Sequence, residues 1–356
     1  MAITGTGTRT LETWVAERVA QQPALDNLMH TTSEGGMLAY LVKETNRPDS
    51  IATPELKALA RGSRGTSLKI PMIDFIPNTV TAGRTCVGPN KGADTRKYTV
   101  PFTAYSDTFT ILPGETEHNY ISRDALVAKK MIAVEEGFKM AIENAYKAIL
   151  ELNKTQILLR SPLRYTFAAG VLSATNTQTD SLLSNLDVIM RANKLNGNIS
   201  YLGNDGAFAI QNEQRQLGQF NSRNLNAELP SRSIFPCFEI PNAVGDFATM
   251  FAVRDLSTAM LFRYAANERN NESLLGGDKE FGTVLLPSLG IEVGYIYTKT
   301  NGDYASLIGK GLPNMVHLDC DILETFTFNV DFAIMVLQNQ DPTQIPSPIM
   351  KVVVKL

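Results

Sequence analysis

The side chains that most often carry out chemistry are few and scattered in this sequence. Three histidines lie far apart and form none of the pairs that hold a zinc ion; they are His30, His118 and His317. The segment from His317 to Asp321 gathers ligand types, including Asp319 and Cys320. Strand alternation would place His317, Asp319 and Asp321 on one face without further partners. We therefore expect no metal site.

Two glycine-rich windows could in principle cradle a phosphate group, but both depart from the required pattern. Gly309-Lys310-Gly311 lacks the Ser or Thr after the lysine and the upstream spacing of a P-loop. Gly203-Asn204-Asp205-Gly206 follows a strand pattern and opens a helix, yet it lacks GxGxxG spacing. The chain also has no GxSxG elbow and no recognisable pair of general-acid carboxylates. We expect no catalytic residue, no cofactor and no enzyme, although an enzyme or binding protein with an unrecognised α+β site stays an alternative.

The composition excludes several classes of protein. The chain has 356 residues, of which 44% are hydrophobic and 19% charged, and its formal net charge is −3. That balance argues against a protein whose main task is to bind DNA, because phosphate binding needs concentrated lysine and arginine. The absence of an 18-residue apolar run and of an N-terminal apolar region predicts no membrane span and no secretory signal. Three widely spaced cysteines outline no disulfide framework and fit assembly in a reducing cytoplasm; they are Cys86, Cys237 and Cys320.

The first 60 residues have the character of an arm. Leu11–Gln22 is predicted as a short helix that Pro23 ends, and Pro54–Ala60 shows a brief helical pattern. Between them lie the breaks at Gly35-Gly36 and Pro48. This segment holds too little apolar material to fold alone.

Residues 61–112 follow the period of two that is typical of strands. Tyr98, Val100 and Phe102 share one face, and the phase then slips by one residue toward Phe109 and Ile111, as at a β-bulge or sharp twist. Seven basic and two acidic side chains give residues 61–97 a net charge of +5, which leaves −8 for the rest. A solvated loop would explain this pattern. The alternative is a projecting two-stranded loop that contacts an acidic neighbour through its basic side chains, namely Arg61, Arg64, Lys69, Arg84, Lys91, Arg96 and Lys97.

A long amphipathic helix is predicted from Ser122, its N-cap, to Leu152. Its apolar positions step by three or four residues; they are Val127, Met131, Val134, Phe138, Ile142, Ala145, Ile149 and Leu152. Charges of alternating sign predict an exposed opposite face; they are Lys139, Glu143, Lys147 and Glu151. At about 1.5 Å per residue, such a helix is roughly 46 Å long, which is unusual for a compact domain.

The remaining chain mixes helices with strands, which predicts an α+β fold. Ser184–Leu195 is predicted as a helix, Ile199–Leu202 as a strand, and Asn204 as the cap of a further helix. Short strands then follow one another; we expect them at Ile234–Ile240, Phe247–Arg254, Met260–Tyr264, Ile291–Tyr297, Glu324–Leu337 and Ile349–Leu356.

This order of parts resembles the major capsid proteins of tailed bacteriophages, which have the HK97-like fold. Local matches add to the resemblance. In the segment IFPCFEIPNAVGDF, Phe238-Glu239-Ile240-Pro241 is similar to the family's G-I-P strand, and Gly245-Asp246-Phe247 to its G-D-F turn. Phe251–Asp255 resembles a strand that ends in Asp-Arg, with those two residues reversed here. Tyr201–Asn204 and the following helix resemble the family's strand-Asn-helix step.

The resemblance implies a division of the chain into the family's parts. Residues 1–60 correspond to the N-terminal arm and 61–115 to the extended E-loop. Residues 116–175 correspond to the P-domain with its spine helix at 122–152, and 176–320 to the A-domain. Residues 321–356 correspond to C-terminal strands that return to the sheet between the P- and A-domains.

The resemblance also implies the function and the partners. Such subunits assemble into the pentamers and hexamers of an icosahedral shell that encloses double-stranded DNA without sequence-specific binding. It implies a separate scaffolding protein, a portal and a decoration protein, assembly in the host cytoplasm and a final location in the virion capsid. An encapsulin-like shell around a protein cargo is the alternative of the same fold.

Overall fold

The computed structural model describes residues 36–73, 95–111, 123–154, 164–195, 197–219, 234–264, 279–287, 289–301, 322–337 and 346–356. The predictions for the helix at Leu11–Gln22, the cap at Ser122 and the segment around His317 lie outside these ranges.

Five α-helices lie in the described part of the chain. They are α1 (Met37–Asn46), α2 (Pro54–Gly62), α3 (Arg123–Leu152), α4 (Leu182–Ala192) and α5 (Asp205–Gln219). A 3₁₀ helix at Asn176–Ser181 leads into α4. The long helix predicted from 122 to 152 is confirmed as α3, and Asn204 caps α5 as expected, since its Oδ1 accepts the Ala207 N–H at 3.3 Å.

The strands within the described ranges form three sheets. A two-stranded sheet pairs β1 (Ser67–Ile73) with β2 (Thr95–Pro101). The five-stranded sheet contains β3 (Thr103–Ile111), β9 (Thr258–Arg263), β10 (Lys279–Leu286), β11 (Ile291–Asn301) and β12 (Ile322–Val336). The six-stranded sheet contains β4 (Thr166–Ala168), β5 (Val171–Thr175), β6 (Ile199–Gly203), β7 (Ile234–Pro236), β8 (Asp246–Arg254) and β13 (Ile349–Lys355). The α+β prediction is confirmed; sequence patterning missed only β10 among the later strands.

The fifteen-residue strand β12 organises the five-stranded sheet. It pairs antiparallel with β11, β3 and β9 along successive parts of its length. Its even-numbered residues from Phe326 to Val336 are buried in the same core as residues of α1 and α3. Phe109 of β3 stacks on Phe326 with ring centroids 5.0 Å apart. The main core therefore lies between this sheet and the two helices.

The six-stranded sheet has the order β4-β5-β13-β8-β6-β7. Its second core packs α4 and α5 against strand residues such as Tyr201, Met250 and Val352. Asn204 is 1% exposed and joins the elements here, because its Oδ1 also accepts the Thr249 N–H at 3.2 Å and its Nδ2 donates to Asn242 Oδ1 at 2.6 Å. The start of α5 is therefore held against β8.

The helix α3 differs from its predicted burial pattern in two respects. Its buried stripe ends at Tyr146 and Leu150, while Leu152 is 76% exposed. Lys139 and Glu143, expected on the outer face, are 6% and 2% exposed. The reason is that α1 packs across α3 and covers a second side of it. A charge pattern alone cannot reveal a neighbouring helix that comes from elsewhere in the chain.

The second half of the predicted arm belongs to the body of the subunit. Met37, Tyr40 and Leu41 of α1 are essentially fully buried in the main core. Glu44 of α1 accepts the Leu256 N–H at 2.6 Å, and Arg47 lies 3.3 Å from Asp255. These contacts join α1 to the turn between β8 and β9, so the part of the predicted arm that α1 forms packs on the rest of the described chain.

Candidate assembly surface

The two-stranded sheet, which we call the ribbon, has two different faces. In its antiparallel register Leu68 lies opposite Val100 and Ile70 opposite Tyr98, while Lys69 lies opposite Thr99 and Pro71 opposite Lys97. Residues directly opposite each other in such a pair point to the same side. One face, which we call the inner face, therefore carries Leu68, Ile70, Tyr98 and Val100. The other, the outward face, carries Lys69, Pro71, Lys97 and Thr99.

The inner face of the ribbon packs on its own subunit. Leu68, Ile70 and Val100 are at most 8% exposed and join a core with Ala333 and Met335 of β12. Alanine and leucine side chains from β9 complete this core, at Ala259 and Leu261. The ribbon thus covers the side of the five-stranded sheet that faces away from α3. The predicted contact of this loop with an acidic neighbour stays a prediction, and within the described residues it concerns the outward face.

The predicted phase slip marks the end of the ribbon. Phe102 separates β2 from β3, and its N–H donates to Thr66 O at 2.9 Å, which closes the base of the ribbon. The next strand, β3, then pairs with β12, Phe109 opposite Phe326. The slip is therefore a change of sheet rather than a bulge within one ribbon, and residues 103–111 belong to the five-stranded sheet.

The described members of the seven predicted contact residues lie in different parts of the chain. Lys69 and Lys97 are exposed on the outward face, and Arg64 is exposed in the segment before β1. Arg61 is the last-turn residue of α2 and contacts its own subunit, with its guanidinium 5.2 Å from the Phe262 ring centroid and 3.8 Å from Glu292 Oε2. Arg84 and Lys91 lie outside the described residues, as does the side chain of Arg96.

A cleft of about 310 Å³ lies where α1 crosses α3 and meets the β10–β11 turn. Apolar side chains such as Leu38, Val42 and Leu289 line most of it, together with Lys139 and Glu143. Glu143 Oε1 accepts the Leu38 N–H at 3.4 Å, at the first turn of α1, whose N-cap Gly36 offers no side chain. Glu143 Oε2 is buried without a hydrogen-bond partner. The sequence pattern does not reveal this carboxylate as buried, because its helical spacing matches an exposed position.

Burial raises the pKa of Glu143 above its usual value, and the nearby carboxylate of Glu239 raises it further. The Leu38 N–H and Lys139 act in the opposite direction, while Glu136 adds to the increase. The pKa of Glu143 is therefore higher in the folded chain than in the unfolded chain. Protonation of Glu143 stabilises the folded chain, so its contribution to stability is largest at low pH. This contribution is lost as the pH rises through the raised pKa.

We expect Glu143→Gln to raise the free energy of unfolding at pH 7–8, by on the order of 1 kcal/mol, because it removes a buried charge whose second oxygen is unpaired. The gain should shrink toward pH 4, where the wild-type side chain is itself neutral. Thermal unfolding followed by circular dichroism at several pH values measures this. Glu213→Gln, at an exposed helix position, is the control and should show little dependence on pH. A loss of stability in Glu143→Gln at neutral pH would contradict the assignment.

Neither a metal site nor a membrane span emerges from the described residues. No group of three or more His, Cys, Asp or Glu side chains among them is placed to hold a metal ion. None of the helices within the described ranges is long and apolar enough to cross a membrane. The described cysteine, Cys237, is buried as a free thiol whose pKa is raised, chiefly by that burial.

No family model matches the chain, and no curated protein matches its sequence. Solved structures do match. One from Mycobacterium phage Che8 is 12% identical, with a TM-score of 0.45, over 88% of this chain and 90% of that chain. The capsid of cyanophage P-SCSP1u is 10% identical, with a TM-score of 0.43, over 82% and 84% of the two chains.

The holo-SrpI encapsulin complex of Synechococcus elongatus PCC 7942 is also similar, with 10% identity, a TM-score of 0.38 and coverage of 86% and 89%. All three TM-scores lie below 0.5, a level at which the likeness assigns no function. The described residues of this chain nevertheless follow the order that the sequence resemblance implies: a two-stranded ribbon, then a thirty-residue helix, then an α+β region. The chain thus has an α+β fold with a ribbon and a long helix as its distinctive parts.

Proposed function

We propose that this chain is the major capsid protein of a bacteriophage head, a structural subunit that assembles with copies of itself into pentamers and hexamers of an icosahedral shell around double-stranded DNA. The observation that carries the proposal is the ribbon. Its inner face is covered by its own subunit, while its outward face presents Lys69 and Lys97 with no acidic residue beside them in the register. A second copy with acidic side chains at its surface would complement this face.

Exposed apolar side chains support the same proposal. Met140 on α3 is 57% exposed, and Phe238, in the segment after β7, is 61% exposed. Glu136 on α3 and Glu239 next to Phe238 are both exposed, and both act on the pKa of Glu143. Exposed aromatic and methionine side chains are typical of contact surfaces between proteins, and acidic side chains beside them would complement a basic partner. We propose that a basic ribbon from a second copy contacts this part of α3.

The partners follow from the proposed role. A separate scaffolding protein, a portal and a decoration protein would act with this subunit, which would assemble in the host cytoplasm and remain in the virion capsid. The subunit would have no catalytic task. DNA would be enclosed without base-specific contacts, in agreement with the net charge of −3.

The size of the purified full-length protein tests the proposal. We expect megadalton particles by light scattering and closed shells or rings by negative-stain electron microscopy, because each subunit has contact surfaces that its own body leaves open. Nucleic acid within particles from infected cells would support a phage head, whereas a protein cargo would favour an encapsulin-like compartment. A stable monomer at every concentration and salt condition would contradict a shell of either kind.

A further inference from the structure

One arginine connects both ends of the ribbon to the five-stranded sheet. Arg263, at the end of β9, donates from Nε to Asp331 Oδ2 at 3.0 Å and from Nη1 to the carbonyl oxygen of Ser63 at 2.8 Å. Its guanidinium lies 4.2 Å from the centroid of the Phe102 ring. Ser63 precedes the ribbon and Phe102 follows it, while Asp331 is in β12.

The chemistry of the guanidinium suits this position. Its planar group donates in two directions at once and still offers a face to an aromatic ring. The side chain of Arg263 is 11% exposed and that of Asp331 32%, so the ion pair is largely shielded from solvent. An ammonium group could reach one of these partners, but its single nitrogen cannot make all three contacts with the same geometry. Arg263 therefore determines how the entering and leaving segments of the ribbon lie relative to β12.

We propose that Arg263 is a positioning residue for assembly: it sets the angle at which the ribbon leaves the body of the subunit, and through that angle the geometry in which a second copy docks. The inner face of the ribbon is apolar, and apolar packing is non-directional, so it permits neighbouring orientations at similar energy. The two hydrogen bonds of the Arg263 guanidinium, one to Asp331 and one to the Ser63 carbonyl oxygen, restrict the ribbon to one of them. The role of Arg263 in setting the ribbon angle is independent of the proposed shell function, whereas the link between that angle and docking rests on it.

The matched comparison lies at the other end of the same strand. Arg123 donates to Glu324 of β12 from Nε at 2.9 Å and from Nη2 at 2.5 Å. That pair joins the start of α3 to β12 and includes no ribbon residue. Arg263→Lys and Arg123→Lys thus each weaken an arginine–carboxylate pair with β12, and only the first is expected to change the ribbon.

The ribbon angle can be measured in the full-length chain by spin labelling. Labels at Lys97→Cys on the ribbon and Met140→Cys on α3, both exposed positions, report the distance between the two parts by pulsed electron paramagnetic resonance. Cys86 and Cys320 are replaced by serine, whereas Cys237 is buried and is kept. Labelled chains are diluted into unlabelled protein of the same variant, so that the distance within one subunit is measured in any state of assembly. Particles are examined in the unlabelled variants with Lys97 and Met140 intact, because these two residues lie on the proposed contact surfaces. Circular dichroism establishes that each variant is folded.

We expect Arg263→Lys to widen the distribution of distances and to produce particles of mixed size or open sheets by electron microscopy, while Arg123→Lys leaves both unchanged. An unchanged distribution in folded Arg263→Lys would overturn the proposal. A widened distribution with particles identical to wild type would overturn the link between angle and docking. If the wild-type chain formed no particles, the shell function would fail, whereas the distance measurement would still decide whether Arg263 sets the ribbon angle.

Discussion

The double variant Lys69→Glu/Lys97→Glu is expected to fold like the wild-type chain and to lose assembly at low salt. Both side chains are exposed on the outward face of the ribbon, so their replacement disturbs no core. The change turns the positive charge of that face negative. Like charges on the two sides of an interface slow the association of two copies and weaken their complex. The effect is largest at low salt, where the charges are screened least.

Sedimentation velocity and electron microscopy across a range of salt concentrations measure this effect. We expect unassembled subunits at low ionic strength and partial recovery of particles above about 0.5 M salt, where the screening length falls to a few ångströms. Circular dichroism and thermal unfolding should match the wild type. The loss of particles would then reflect a contact between copies rather than a damaged fold.

The control for charge is Lys194→Glu/Lys355→Glu, which changes the net charge from −3 to −7, as the first variant does. Both lysines are exposed, in the segment after α4 and at the end of β13. This control should still assemble. Normal assembly of the ribbon variant at low salt would leave the outward face as a solvated surface without a partner, and equal loss in both variants would indicate a general effect of net charge.

Gly206→Ala is expected to destabilise the six-stranded half of the subunit severely. Gly206 lies in the first turn of α5, and a Cβ added there would lie 2.1 Å from the carbonyl oxygen of Phe247 and 3.0 Å from Ala248 Cβ. The first of these is a backbone atom in β8 and cannot rotate away. Overpacking of this kind costs about 3 kcal/mol, which corresponds to a fall in the midpoint of thermal unfolding of roughly 6–12 °C.

The comparison for this variant is Gly62→Ala, at the last position of α2. Apart from its chain neighbours and the backbone of its own helix, no heavy atom lies within 4 Å of the Cβ that alanine would add there, so we expect stability within about 0.5 kcal/mol of the wild type. Differential scanning calorimetry of both variants measures the difference. Tolerance of Gly206→Ala would mean that α5 can move away from β8, which would contradict the close approach that Asn204 maintains between them.

The approach of α5 to β8 involves one contact that the sequence predicts and one that it does not. Asn204 was identified as a helix cap because an Asn before a helical pattern accepts N–H groups of the first turn, and this contact is local. Its second contact, with the Thr249 N–H, joins residues 45 positions apart and depends on the pairing of β6 with β8. The type of residue predicts the first role, whereas only the packed fold defines the second.

The same distinction applies to α3 and the ribbon. Helical period predicted α3 within one residue of its start and placed Val127, Met131 and Phe138 on its buried side, since amphipathic spacing is a property of a single segment. It wrongly assigned Lys139 and Glu143 to solvent. The helix that covers them, α1, comes from a part of the chain some 100 residues earlier, and no local period contains that information.

The sequence alone determined the α+β class, the long helix, most of the later strands and the basic character of the ribbon, because each depends on residues close together in the chain. Only the tertiary structure decided that the inner face of the ribbon packs on β9 and β12, that Arg61 contacts its own subunit, and that Arg263 connects both ends of the ribbon. These arrangements depend on which sheet each strand joins. Pairing between distant segments is set by the packing of the whole core, which the pattern of one segment does not contain.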